Sequence, residues 1–121
     1  MTERGRRVVV VEDDACLREE LLTGLAASGY IASGLGDGST AALAATREPP
    51  DALVLDIEMP ALDGLRVAQV MRALAPGTRL VVMSGHGYLR LAASDLLGPG
   101  IAILAKPFTF DDLLARLEAP L

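Results

Sequence analysis

The feature that most limits what this chain can become is a fivefold alternation. Short apolar runs at residues 8–11, 30–33, 52–55, 80–83 and 101–104 are each followed by a segment of helical character. Runs of four residues have the length of strands buried on both faces, although 30–33 is the weakest of them. Leu17, Leu21, Leu22 and Leu25 form the first helical stripe. Residues 39–47 form an Ala-rich helix ended by Glu48-Pro49-Pro50. Val67, Val70, Met71 and Leu74 are expected to face inward from a third helix. Leu89, Ala92, Ala93 and Leu96 stripe a fourth, and Phe110, Leu113, Leu114 and Leu117 a fifth. Asp14 and Asp63 stand where helix caps are needed, and Gly29, Pro76-Gly77 and Gly98-Pro99-Gly100 stand where helices stop. Strand-helix repetition of this kind predicts an α/β fold, a five-stranded parallel sheet with five helices on its two faces. At 121 residues it makes one domain, 1–121, able to bury roughly two-thirds of its unfolded surface.

Charge and composition narrow the function. A net charge of −5 and a pI near 4.7 exclude the basic face that direct nucleic-acid binding requires. Arg4, Arg6 and Arg7 cluster before the first strand and are read as a solvated arm. The single cysteine, Cys16, forbids an intrachain disulfide and suits a reducing cytoplasm. No apolar run approaches the roughly 20 residues of a membrane span. The Gly34-x-Gly-x-Gly38 segment lacks the Lys-Ser/Thr of a phosphate loop and is read as a plain loop. Ten of the eleven basic residues are arginine and one, Lys106, is lysine. Its compact charge on a flexible stem suits contact with a single phosphate or carboxylate oxygen.

Acids and polar residues gather where strands end. Glu12-Asp13-Asp14 follows the first run and Asp56 closes the third, just before Met59-Pro60. In an open parallel sheet that edge carries the ligand crevice. If strands one and three are neighbours, Glu12, Asp13 and Asp56 converge, and a divalent cation relieves their mutual repulsion. Magnesium fits, because it takes few carboxylates and shares a substrate phosphate. The fourth and fifth strands bring Ser84 and Lys106 to the same edge. A hydroxyl, an ammonium, a metal and a carboxylate nucleophile suit phosphoryl transfer.

These residues resemble the receiver domain of the two-component response regulators. The motifs are Glu12-Asp13-Asp14 after its valine run, Asp56-Ile57-Glu58-Met59-Pro60 with Asp63-Gly64, Met83-Ser84-Gly85, and Ala105-Lys106-Pro107-Phe108. The resemblance implies a flavodoxin-like, doubly wound sheet in the order 2-1-3-4-5. It makes Asp56 the phosphoacceptor, loaded from a histidine kinase or histidine phosphotransfer protein in the cytoplasm. Asp13 would bind magnesium directly, Glu12 through water, and the backbone carbonyl of Glu58 would be a further ligand. Ser84, Lys106 and the amides of Gly85 and Glu58 would hold the phosphoryl oxygens. Such a domain catalyses its own phosphorylation and dephosphorylation only, and works by protein contacts, with a homodimer left open. Glu58 and His86 stand where they would modulate dephosphorylation, and the first turns of the first helix, with Cys16, Leu17 and Glu20, are the expected partner surface.

One position departs from the family. Three residues before the lysine it usually carries Tyr or Phe, whose rotation reports phosphorylation, and here that switch position is Ile103. Output would then travel through the glycine-bounded helix beginning near Tyr88. Two alternatives remain at this stage. One is a phosphorylation-independent interaction or dimerisation module. The other is a dehalogenase-like phosphatase, which the missing Asp-x-Asp-x-Thr pattern and the lack of room for a cap domain disfavour.

Overall fold

A computed structural model describes residues 6–37, 44, 47–59 and 63–119. In chain order the elements are β1 Arg7–Val11, α1 Ala15–Ala27, β2 Ile31–Leu35, β3 Ala52–Asp56, α2 Gly64–Leu74, β4 Arg79–Ser84, α3 Gly87–Leu97, β5 Ala102–Ala105 and α4 Phe110–Glu118. The five strands form one parallel sheet in the order β2-β1-β3-β4-β5. The expected helix at 39–47 falls almost wholly outside the described residues, of which Ala44 and Arg47 are both helical.

The alternation along the strands divides the core into two layers. Val9, Val11, Leu53, Leu55, Leu80 and Val82 face Val67, Ala68 and Met71 of α2 and Ala93 and Leu97 of α3. Val8, Val10, Val54, Val81, Met83 and Leu104 face Leu21 and Leu25 of α1 and Leu113 and Leu117 of α4. Every residue of β3 is buried, as expected for a central strand covered on both sides.

Four sequence-based expectations change. Val70 and Leu74 lie at the flank of α2, 36% and 66% exposed, because the buried arc runs through Gly64, Val67, Ala68 and Met71. In α3 the inward pair is Ala93 and Leu97, one turn apart, and Leu96 is exposed. Gly34 belongs to β2 rather than to the loop that follows. A Cβ there would stand 2.8 Å from Leu22 Cδ1, so the missing side chain is what lets α1 pack down on the strand. Arg6 and Arg7 are anchored rather than solvated. The Arg6 guanidinium lies 5.4 Å from the Tyr30 ring centroid, the Arg7 amide donates to Asp51 Oδ2 at 2.7 Å, and the Arg7 side chain pairs with Glu48. Arg4 lies outside the described residues.

Candidate functional site

Register delivers the polar residues to one edge. Val11 is paired with Leu55, Asp56 with Met83 and Ser84 with Ala105, so the carboxyl ends of β1, β3, β4 and β5 are nearly flush. The ladder continues one residue past the strands: the Glu12, Ile57 and Lys106 amides donate to the carbonyls of Leu35, Met83 and Ser84. Backbone hydrogen bonds thus fix the starting points of the side chains that converge there. Asp14 and Asp63 then cap α1 and α2, accepting from the amides of Leu17 and Arg66 at 3.1 Å each, as the sequence leads one to expect.

Asp56 is 3% exposed, and each of its carboxylate oxygens has a donor. The Glu58 amide donates to Oδ1 at 2.8 Å and Lys106 Nζ to Oδ2 at 3.1 Å. Lys106 also donates to Glu12 Oε1 at 2.7 Å, so a single ammonium bridges two buried carboxylates. Burial pushes the Glu12 carboxyl up from its ordinary 4.5, and the hydrogen bonds from Lys106 and the Asp14 amide offset only part of that. Burial pulls the Lys106 ammonium down, but its bonds to Glu12 and Asp56 outweigh this and hold it above 10.5. Lys106 therefore stays charged across the physiological range.

One carboxylate oxygen each of Glu12, exposed Asp13 and Asp56 lie within 4.8 Å of one another, which is a geometry able to hold a metal ion. An all-oxygen donor set of carboxylates suits a hard divalent cation. Across the crevice, Ser84 Oγ donates to Glu58 Oε2 at 2.7 Å and the Gly85 amide donates to the same oxygen. His86 Nε2 is 3.1 Å from Glu58 Oε1. The Ser84 hydrogen bond, helped by the Gly85 amide, His86 and Lys106, keeps the Glu58 carboxyl below its ordinary 4.5 despite partial burial.

The structure also brings in two residues that the sequence reading missed. Arg18 donates to the Glu12 carbonyl at 2.7 Å and Arg90 to the Ser84 carbonyl at 3.0 Å. Each lies in the first turn or so of the helix following its strand, six residues past the carbonyl it braces, and that offset is the signal that could have found them. Ile103 is half-buried in β5 against the layer that contains α2 and α3, while Tyr88 is 77% exposed at the start of α3. Cys16, Leu17 and Glu20 line a groove of about 760 Å³ with Gly24, Phe108 and Phe110.

Residues 8–118 match the family model of the response regulator receiver domain. The chain belongs to that family. This receiver is 36% identical over 113 residues to the response regulator MprA of Mycobacterium leprae, a match covering 93% of the chain and 50% of MprA. It is 37% identical to the transcriptional regulatory protein PrrA of Mycobacterium tuberculosis, over 93% of the chain and 48% of PrrA. The chain spans about half the length of these curated relatives. Among solved structures, the response regulator TrrA of Thermotoga maritima, in complex with Mg2+-BeF, superposes with a TM-score of 0.81 and 27% identity over 93% of this chain and 96% of that one. The chemotaxis protein CheY4 of Vibrio cholerae shares the fold at a TM-score of 0.83 and 22% identity, over 97% and 99% of the two chains. No described helix of the receiver is long and apolar enough to cross a membrane.

Proposed function

We propose that residues 1–121 form a single receiver domain that takes a phosphoryl group on Asp56 from a phosphohistidine donor, a histidine kinase or histidine phosphotransfer protein of the cytoplasm. The observation that carries this is the Asp56 carboxylate itself, buried at the sheet edge with Lys106 Nζ on one oxygen, the Glu58 amide on the other, and Glu12 and Asp13 alongside. A carboxylate oxygen attacks phosphorus, the phosphorus-nitrogen bond breaks, and the leaving imidazole takes up a proton from solvent. The product is an acyl phosphate on Asp56.

The chain's residues contribute position and charge. Two donors hold the acceptor carboxylate in one orientation. Glu12, Asp13, Asp56 and the Glu58 carbonyl would hold magnesium, which when bound neutralises charge shared between acceptor and phosphoryl oxygens. Ser84 Oγ, the Gly85 amide and the Lys106 ammonium receive the phosphoryl oxygens, and the flexible lysine stem allows Nζ to turn from the carboxylates toward them. Glu58 and His86, at the mouth of the crevice, govern how water reaches the acyl phosphate. The domain acts on no substrate beyond its own aspartate.

Partners dock on the groove beside the acid pocket, where Cys16, Leu17 and Glu20 meet Phe108 and Phe110. Output runs through α3 and its exposed Tyr88, because the aliphatic Ile103 has no ring to rotate. The same residue favours a second reading, an interaction or dimerisation module indifferent to phosphorylation. Incubation with magnesium and a small-molecule phosphodonor tests the first reading. Mass spectrometry is expected to find one alkali-labile phosphoryl group, absent from Asp56→Asn, and no such group on the wild type refutes it. Identical amide spectra over residues 87–104 before and after loading would favour the second.

A further inference from the structure

The two donors assigned to a phosphoryl oxygen already have an acceptor. Ser84 Oγ and the Gly85 amide both donate to Glu58 Oε2. A serine hydroxyl has one hydrogen to give and a backbone amide has one. Both point to a side chain two residues from the phosphoacceptor, the His86 carbonyl at 3.4 Å being the longer alternative for Ser84 Oγ beside Glu58 Oε2 at 2.7 Å. We propose that the Glu58 carboxylate is an internal stand-in for the phosphoryl group, closing the oxyanion pocket of the unmodified receiver until it is displaced. The inference rests on the reading of Asp56 as phosphoacceptor and deepens it.

Three features fit a plug rather than a fixed strut. The Glu58 backbone is pinned, its amide held on Asp56 Oδ1 at 2.8 Å, so only the side chain has to move. That side chain is 24% exposed and has a path out to solvent. Among the described residues its second oxygen, Oε1, is tethered by His86, whose side chain is 65% exposed. Glu58 and an incoming phosphoryl group are both anions seeking the same two hydrogens, so occupancy is mutually exclusive, and their charges oppose any shared arrangement. On the other side of the crevice Lys106 bridges Glu12 and Asp56, a cation among the carboxylates proposed to hold the metal. The unloaded site is therefore hydrogen-bonded, and in part charge-compensated, by its own residues, and loading trades those internal partners for external ones. The cost of displacing Glu58 falls on every phosphoryl donor alike, which sets a threshold for activation independent of partner identity.

The test is an amide NMR titration of the full chain with beryllofluoride at saturating magnesium, for wild type, Glu58→Ala and Glu58→Gln, each with and without Asp56→Asn. Removing two hydrogen bonds to a charged acceptor is expected to tighten beryllofluoride binding about tenfold to a hundredfold in Glu58→Ala. Glu58→Gln keeps the shape without the charge and is expected to fall between. Equal affinity in wild type and both variants, with binding still dependent on Asp56, overturns the plug and leaves the phosphoacceptor reading intact. Absence of Asp56-dependent binding in every background overturns the phosphoacceptor reading itself. A matching gain in magnesium affinity, measured before beryllofluoride is added, would place the effect on the metal and also overturn the plug.

Discussion

Replacing Lys106 with methionine keeps the stem and removes the ammonium from between Glu12 and Asp56, which are 1% and 3% exposed. Taking one partner from a buried ion pair costs about 3–5 kcal/mol, chiefly because the remaining charge is left uncompensated. Here two carboxylates lose their shared cation. The lower end of that range applies, since the Lys106 side chain is 24% exposed and Asp56 keeps the Glu58 amide. About 3 kcal/mol in a domain of this size lowers the melting temperature by about 12 °C. The assay is thermal unfolding by circular dichroism at neutral pH in a chelator, repeated in magnesium. Magnesium is expected to raise the variant's midpoint more than the wild type's, because in the wild type it competes with a bound ammonium. Adding Glu12→Gln to Lys106→Met removes one of the orphaned charges and is expected to recover about 1–2 kcal/mol of the loss. A Lys106→Met protein that melts within about 3 °C of wild type in chelator would refute the claim that this lysine compensates the buried acids.

Three further perturbations test how the site is held. A Cβ on Gly64 would stand 2.6 Å from the Ile57 Cα, so Gly64→Ala is expected to push α2 away from the loop carrying Glu58. The expected cost is about 1–3 kcal/mol by denaturant unfolding, with shifted amide resonances at Ile57 and Glu58. Thr78 is 7% exposed and its hydroxyl donates to the Pro50 carbonyl at 2.7 Å, so Thr78→Val is expected to cost about 1–2 kcal/mol in the same assay. Asp112 closes the capping box of α4, and the Thr109 amide holds its carboxyl below the ordinary 3.8. The unfolded chain then binds the proton more readily than the folded one, so this stability is present above pH 3.8 and is lost as pH falls through the lower, folded value. Asp112→Asn is expected to flatten the acid limb of the stability profile in that window, and an unchanged acid limb would show that the box contributes nothing there.

Most of the fold, and the gathering of the candidate residues at one sheet edge, were open to reading because they depend on short-range patterns. Four-residue apolar runs alternating with leucine stripes leave a buried parallel sheet as the arrangement that covers every apolar face. Asp14 and Asp63 cap because an aspartate beside free helix amides has a local partner wherever the helix lies. Asp56, Glu12, Ser84 and Lys106 were legible as residues at or just past strand ends, since a strand's end is a sequence position. The turn of α2 that buries Ala68 and leaves Val70 and Leu74 at the flank was not legible, because the helix rotates to the tightest fit its neighbours permit. Arg6 and Arg7 read as a tail until Tyr30, Asp51 and Glu48, distant in sequence, came alongside.

The same division runs through the site. Composition and spacing determined by themselves that acids, a hydroxyl and one lysine would reach the carboxyl edge of a parallel sheet. Only the tertiary structure decided their pairing in the unloaded state: Lys106 across Glu12 and Asp56, and Glu58 on Ser84 and the Gly85 amide. Those partners lie 94, 50, 26 and 27 residues apart. Which carboxylate takes which donor is set by a few ångströms of register and by rotamers chosen under burial, and a linear sequence carries no direct record of either.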